Sequence, residues 1–472
     1  MYQMESKNAT EFINDEEILS TVEYANANKS NRELITSLIE RAKDCKGLSH
    51  REAAVLLECD QQDLNEKMNA LAREIKQKFY GNRIVMFAPL YLSNYCVNGC
   101  TYCPYHHMNK HISRKKLTQE EIRKEVIALQ DMGHKRLALE TGEDPINNPI
   151  EYVLESIKTI YSIKHKNGVI RRVNVNIAAT TIENYRKLKD AGIGTYILFQ
   201  ETYHKKNYET LHPTGPKHDY AYHTEAMDRA MEGGIEDVGI GVLFGLNLYR
   251  YDFVGLLMHA EHLEAAMGVG PHTISVPRIR PADDVNPEDY KDSISDETFE
   301  KIVAVLRIAV PYTGMIISTR ESQTTREKVL KLGISQLSGG SKTSVGGYVE
   351  QEAENDNSAQ FDVSDTRTLD EIVNWLLELG YIPSFCTACY REGRTGDRFM
   401  SLVKSGQIVN CCQPNSLMTL KEYLEDYAST ETKKIGEQMI MEEMKRVPND
   451  KVRQKAFDNL LAIEGGERDF RF

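Results

Sequence analysis

The sequence predicts an α/β protein: a TIM-type (βα)8 barrel with a helical N-terminal extension and a mainly helical C-terminal domain. Three observations lead there. Eight short strand-like runs alternate with amphipathic helical segments between Arg83 and Gly340. Those helical segments often end in Gly, as helix C-termini favour. Polar residues recur where the strand-like runs end, which is the face on which such barrels carry their sites.

From about residue 11 to 80 the pattern is helical, and Ser49 with Glu52 forms a capping-box signature opening the run REAAVLLECD. Residues 1–82 are therefore expected to be a helical extension. The barrel is assigned to 83–380. Its strands are RIVMFAPLYL, RLALETGE, VIRRVNVNIAA, GTYILFQET, DVGIGVLFGL, HTISVPRIRP, GMIISTRES and ISQLSGG. Segments such as LTQEEIRKEVIALQDMG, TTIENYRKLKDAG and DETFEKIVAVLRIAV supply the helices. The strand-end residues Glu143, Asn176, Glu201, Thr202, Arg278, Arg280, Arg320, Glu321, Ser341 and Lys342 should then converge on one mouth. A polar connection, NDNSAQFDVSDTRT (355–368), and a helix, LDEIVNWLLELG, close the barrel region. Residues 381–472 carry a second cysteine cluster and the charged helices TLKEYLEDYA and KKIGEQMIMEEMKRV, and are assigned as a C-terminal cluster domain.

With a net charge of −12 over 472 residues and no basic stripe, the chain has no general attraction for nucleic acid. No apolar run reaches the roughly 18 to 20 residues that cross a bilayer, so no membrane is expected as a partner. The start, MYQMESKNATEFINDEE, lacks the basic and apolar regions of a signal peptide, and a cytoplasmic location is expected.

In a reducing compartment the nine cysteines are not expected to pair, so clustered ones read as metal ligands. Cys45 and Cys59 stand alone in helical sequence and are expected to be plain buried thiols. Cys96, Cys100 and Cys103 form C-x3-C-x2-C directly after the first barrel strand. Three thiolates can hold three irons of a [4Fe–4S] cube and leave the fourth open to another ligand. A zinc site closed by His106 or His107 is the competing arrangement.

That spacing on that loop, with Tyr102 just before the last cysteine, resembles the radical SAM superfamily. The resemblance implies that the open iron chelates S-adenosylmethionine (SAM). Thr141-Gly142-Glu143 resembles the family's Gly-Gly-Glu segment, which binds the SAM amino group, with Thr replacing the first Gly. On the same resemblance, Tyr102, Thr141, Gly142, Glu143, Asn176 and Glu201 are the expected SAM-binding residues.

FQETYH (199–204), LHPTGPK (211–217), DVGIGVLFGL (237–246), SVPRIRP (275–281) and LSGGSKTSVGGY (337–348) are similar to stretches of the superfamily's aromatic amino acid lyases. The implied reaction is fragmentation of L-tyrosine at Cα–Cβ into p-cresol and dehydroglycine, fed by a low-potential electron donor. An Arg fork suits the tyrosine carboxylate, and Arg320 with Ser318 and Thr319 is the candidate. Arg278, Arg280 and Ser341 are further candidates for the substrate, and the two arginines could instead bind SAM or line the barrel.

Cys386, Cys389 and Cys412 form C-x2-C-x22-C. By spacing alone either Cys411 or Cys412 serves as third ligand, and a four-thiolate zinc site is also open. Among the tyrosine lyases, the [FeFe]-hydrogenase maturase branch carries this motif and the thiazole-synthesis branch does not. The resemblance to the former implies a second [4Fe–4S] cluster on Cys386, Cys389 and Cys412, where dehydroglycine becomes CO and cyanide. It further implies an additional Fe(II), bridged by free L-cysteine, that leaves as an Fe(CO)2(CN) unit, with other hydrogenase maturases as partners. A neutral imidazole suits the extra iron, with His272 the first candidate and His262 the second. Two rival readings remain: a thiazole-type lyase with a structural C-terminal metal site, and a non-catalytic iron–sulfur carrier.

Overall fold

The computed structural model describes residues 1–349 and 358–472. Eight parallel strands form the barrel: β1 (Arg83–Ser93), β2 (Arg136–Thr141), β3 (Arg172–Asn176), β4 (Tyr196–Glu201), β5 (Val238–Val242), β6 (Thr273–Ser275), β7 (Gly314–Ile317) and β8 (Gln336–Ser338). They neighbour one another in chain order, and β8 pairs with β1 to close the ring. Every strand expected from the sequence forms. The sixth shrinks to three residues, because Pro277 and Pro281 remove backbone donors from the run.

A ninth strand, β9 (Ile382–Ser384), adds in parallel to the outer edge of β1, with Arg83 opposite Ile382. The C-terminal helices that follow are thereby fastened to the N-terminal end of the barrel. The N-terminal extension is helical, as expected, and its Ser49–Glu52 capping box forms at the start of the helix His50–Glu58. Cys45 and Cys59 are buried.

Residues 355–357 of the expected polar connection lie outside the described residues. Its remainder is pinned across the barrel mouth. The amides of Ser364 and Asp365 donate to the Thr319 carbonyl, and Arg326 meets Asp365 at 2.5 Å with both side chains essentially buried. Arg326 also donates to the Ser338 carbonyl. Removing one member of a buried pair strands the other charge, so Asp365→Ala is expected to cost about 3–5 kcal/mol. Chemical denaturation of the purified variant checks this, and a loss under about 1 kcal/mol would refute the role.

Candidate active site

The loop after β1 carries Cys96, Cys100 and Cys103, and all three thiols line one open cavity at the C-terminal ends of the strands. Local packing sets this loop. Its Gly99 amide donates to the Thr214 carbonyl, its Thr101 amide to that of Leu211, and its Val97 amide to that of Glu143. Gly142, where β2 ends, lies so close beneath the loop that a Cβ would collide with the Tyr95 carbonyl.

Burial pushes all three thiols up, Cys103 to about 11, and neighbouring thiols raise Cys100 and Cys103 further. Three thiols on one cavity wall, Cys100 buried and the other two half-buried, suit a cationic iron–sulfur core, because metal coordination removes the proton that burial otherwise retains. The fit is to a three-thiolate set. His107 Nδ1 lies 3.1 Å from the Asn98 carbonyl oxygen and His106 Nε2 lies 3.1 Å from Asp284, and neither ring lines the cavity.

Glu143 accepts from Asn98 Nδ2 at 2.7 Å, and burial raises its pKa against that bond and the charge of Lys217. Glu201 pairs with Lys217 at 2.8 Å. Tyr102 O–H meets His212 Nε2 at 2.7 Å, while Nδ1 lies 2.6 Å from the Tyr208 carbonyl oxygen. Burial lowers His212 to about 2, so the ring is neutral, donates through Nδ1 and accepts from Tyr102. Thr141, Gly142, Glu143, Asn176 and Glu201 all line this cavity with Tyr102. Asn98 and Lys217 complete it. Neither was singled out from sequence, although both lie in stretches that drew notice, the cysteine loop and LHPTGPK.

Deeper in the bore a second cavity shares Tyr91, Glu140, Asn176, Arg320 and Phe361 with the first and reaches Ser318 and Thr319. Here the candidate arginines separate. Arg278 is bound to Glu321 and to Asp296 (2.8 Å) and faces away from the mouth cavity. Arg280 lines the mouth but is also held by Glu321. Arg320 makes no ion pair among the described residues and stacks on the Phe361 ring at 3.6 Å. Ser341 lies in a different, outer cavity beside Tyr427 and Arg367.

Arg320 is left without a carboxylate partner among the described residues, and burial biases its neighbour Glu140 toward the neutral acid. Burial raises Glu140 to about 8 despite Arg320 and a hydrogen bond with Asn176. Below pH 8 Glu140 is neutral and does not compete for the guanidinium; above it the carboxylate forms beside Arg320 and repels an anionic ligand. The KM for an α-carboxylate substrate is therefore expected to climb as pH passes 8, and Glu140→Gln to flatten that rise. Arg320→Lys is expected to raise KM by about 10-fold or more, since the ammonium cannot reproduce the bidentate fork. Steady-state kinetics from pH 7 to 9 on the three proteins checks both.

At the opposite end of the barrel Cys386, Cys389 and Cys412 line a third cavity with His272, Arg83, Arg136 and Tyr390. Cys411 does not line it, which separates the two adjacent cysteines that spacing left equivalent. Cys389 accepts a hydrogen bond from Cys412, which draws Cys389 down and pushes Cys412 up. Burial raises Cys386 to about 11. His272 is kept neutral by burial, and its Nδ1 is a buried atom with no hydrogen bond, 3.5 Å from Asp237. Three thiols and one neutral imidazole line this cavity, and residues of these types suit iron. His262 does not belong to it: Nε2 lies 2.9 Å from Asp228, Nδ1 lies 2.7 Å from the Met4 carbonyl oxygen, and the ring stacks on Phe12 at 3.7 Å.

The Radical SAM superfamily model matches residues 90–260, and the Biotin and Thiamin Synthesis associated domain matches 275–382. A 2-iminoacetate synthase of Salmonella typhimurium is 30% identical over 347 residues, 73% of this chain and 89% of that protein. A crystal structure of HydG, a maturase of the [FeFe]-hydrogenase, is 58% identical with a TM-score of 0.94, covering 98% of this chain and 100% of its own. HydG from Carboxydothermus hydrogenoformans is 38% identical with a TM-score of 0.81, over 96% of this chain and 99% of its own. Sharing nearly its whole length with these maturases, and carrying its three-cysteine loop inside the superfamily's matched region, the chain belongs to the HydG family of radical SAM tyrosine lyases.

Proposed function

We propose that the protein cleaves L-tyrosine at Cα–Cβ to p-cresol and dehydroglycine. The latter is then converted to CO and cyanide at a second iron–sulfur centre, and an Fe(CO)2(CN) unit is delivered for the [FeFe]-hydrogenase H-cluster. The observation that carries this is the pair of three-cysteine sets at opposite ends of one barrel, with cavities in the bore between them. A thiazole-type lyase needs only the first set.

Cys96, Cys100 and Cys103 would hold a [4Fe–4S] cluster, which with SAM and a low-potential donor supplies a one-electron route to an adenosyl radical that takes hydrogen from the substrate. Glu143, oriented by Asn98, accepts from the SAM amino group, while Arg320, flanked by Ser318 and Thr319, receives the tyrosine carboxylate. Phe361 covers the guanidinium and limits water around it. At the far end Cys386, Cys389 and Cys412 would hold the second cluster, and His272 the additional Fe(II) with its free L-cysteine; soft iron there suits the capture of CO and cyanide. Other hydrogenase maturases are the expected recipients, in the cytoplasm.

Anaerobic turnover of the reconstituted protein with uniformly 13C-labelled tyrosine, SAM and dithionite tests this. Labelled p-cresol, CO and cyanide are expected. Labelled p-cresol without either diatomic would leave only the thiazole-type reaction.

A further inference from the structure

Behind the far cysteine cavity stands a carboxylate to which the site described above gives no task. Asp237 comes immediately before β5 and His272 immediately before β6, and the two strands run side by side, with the His272 amide donating to the Val238 carbonyl at 2.8 Å. Asp237 is 3% exposed and does not line the cavity that His272 shares with Cys386, Cys389 and Cys412. Its Oδ1 accepts from the Gly396 amide at 2.9 Å, while Oδ2 is buried without a hydrogen bond. Among the described residues the one basic side chain within ion-pair distance is His272, whose Nδ1 lies 3.5 Å from Oδ1.

Capping explains half of this arrangement. Gly396 opens the helix Gly396–Lys404, Thr395 supplies no side-chain cap, and Asp237 takes that place from the barrel. Glu236 accepts from Thr395 Oγ1 at the same junction. A cap needs an acceptor and no charge, since Asn or Ser serves about as well as Asp. A buried carboxylate with an empty oxygen is therefore costly unless a positive partner offsets it. The imidazole is placed to be that partner. Its ring packs on Phe399 of the capped helix, centroids 4.8 Å apart, and its Nε2 lies 3.5 Å from the hydroxyl of Tyr390, which lines the cysteine cavity. Nδ1 is thus turned to the carboxylate and Nε2 to the cavity side. A histidine that gives one nitrogen to a metal becomes a stronger donor at the other, and a carboxylate there fixes both its tautomer and its ring orientation.

We propose that Asp237 is a positioning residue for His272: it accepts from Nδ1–H and so holds the ring with Nε2 directed at a metal beside the three cysteines. That this metal is the additional Fe(II) rests on the reading of the far site given above. The helix cap and the histidine then share one carboxylate, an oxygen each. Asn cannot serve both, because its amide has a single acceptor oxygen.

Equilibrium dialysis and Mössbauer spectroscopy with 57Fe(II) test this without any turnover. The full-length protein, reconstituted with both clusters and cleared of further iron by a chelator, is titrated with 57Fe(II) in the presence of L-cysteine. Four further proteins are compared: His272→Ala, Asp237→Asn, Asp237→Ser and Glu236→Gln. Wild type is expected to take up one tightly held Fe(II) per chain and His272→Ala to lose that uptake. Both Asp237 variants should bind it about 10- to 100-fold more weakly. Glu236→Gln alters the same helix junction without facing His272, and its affinity should stay near that of wild type. At saturating iron Asp237→Asn should give a broadened ferrous doublet, because the ring is no longer held in one orientation, while the cluster signals and circular dichroism match wild type. If Asp237→Asn misfolds, Asp237→Ser carries the comparison. Undiminished affinity in the folded Asp237 variants, or an equal loss in Glu236→Gln, which would make the effect one of helix capping, overturns the proposal alone. Uptake by His272→Ala equal to wild type, or none in wild type, overturns the far-site reading and the proposal with it.

Discussion

Replacing Cys386 and Cys389 together by serine is expected to leave p-cresol formation within a few-fold of wild type while CO falls below detection. The two cysteine sets line separate cavities at opposite ends of the bore, so loss of one leaves the other's surroundings intact. Serine hydroxyls are poor ligands for iron, and Cys412 alone cannot hold a cluster. Iron content should drop by about four to five per chain, the second cluster together with its additional iron. Infrared detection of CO and chromatography of p-cresol, run on one sample, check the split. A variant that loses p-cresol in parallel with CO would mean that the far end is needed for folding or for the first cleavage, and the division of labour would be wrong.

The converse substitution, Cys100→Ser, should abolish everything. Cys100 is the most enclosed of the three mouth thiols, at 6% exposure, and lies under the charges of Lys217 and Glu201. With only two thiolates left, the open-iron geometry that receives SAM is lost, and 5′-deoxyadenosine, p-cresol, CO and cyanide are all expected to disappear. About four irons should remain on the far cysteines, and the electron paramagnetic resonance signal of the reduced protein should simplify to that of one cluster. Continued SAM cleavage by this variant would remove the mouth cluster from the mechanism.

Much of this was legible along the chain. The three mouth cysteines act from one short loop, so their spacing carries their meaning. The eight strands were readable because alternating strand and helix periodicities are local signals. The carboxylate of Glu143 could be placed because it follows directly on a strand that already pointed at the mouth. Which arginine is free was not legible. Arg278, Arg280 and Arg320 have the same chemistry and all sit at strand ends, but Glu321 occupies the first two. That pairing depends on how β6 and β7 lie side by side. Ser341 left the mouth for the same kind of reason: the chain turns outward before reaching it.

By itself the sequence determined the barrel, the two cysteine sets, and the chemistry those thiols can support, since each rests on residue types at short spacing. Only the tertiary structure decided that Cys412 and not Cys411 faces the far cavity, and that His272 keeps an unfilled nitrogen while His262 spends both of its own. Those outcomes depend on hydrogen-bond partners and on space supplied by strands tens to hundreds of residues away, and one-dimensional spacing holds no record of which buried donors the fold leaves unpaired.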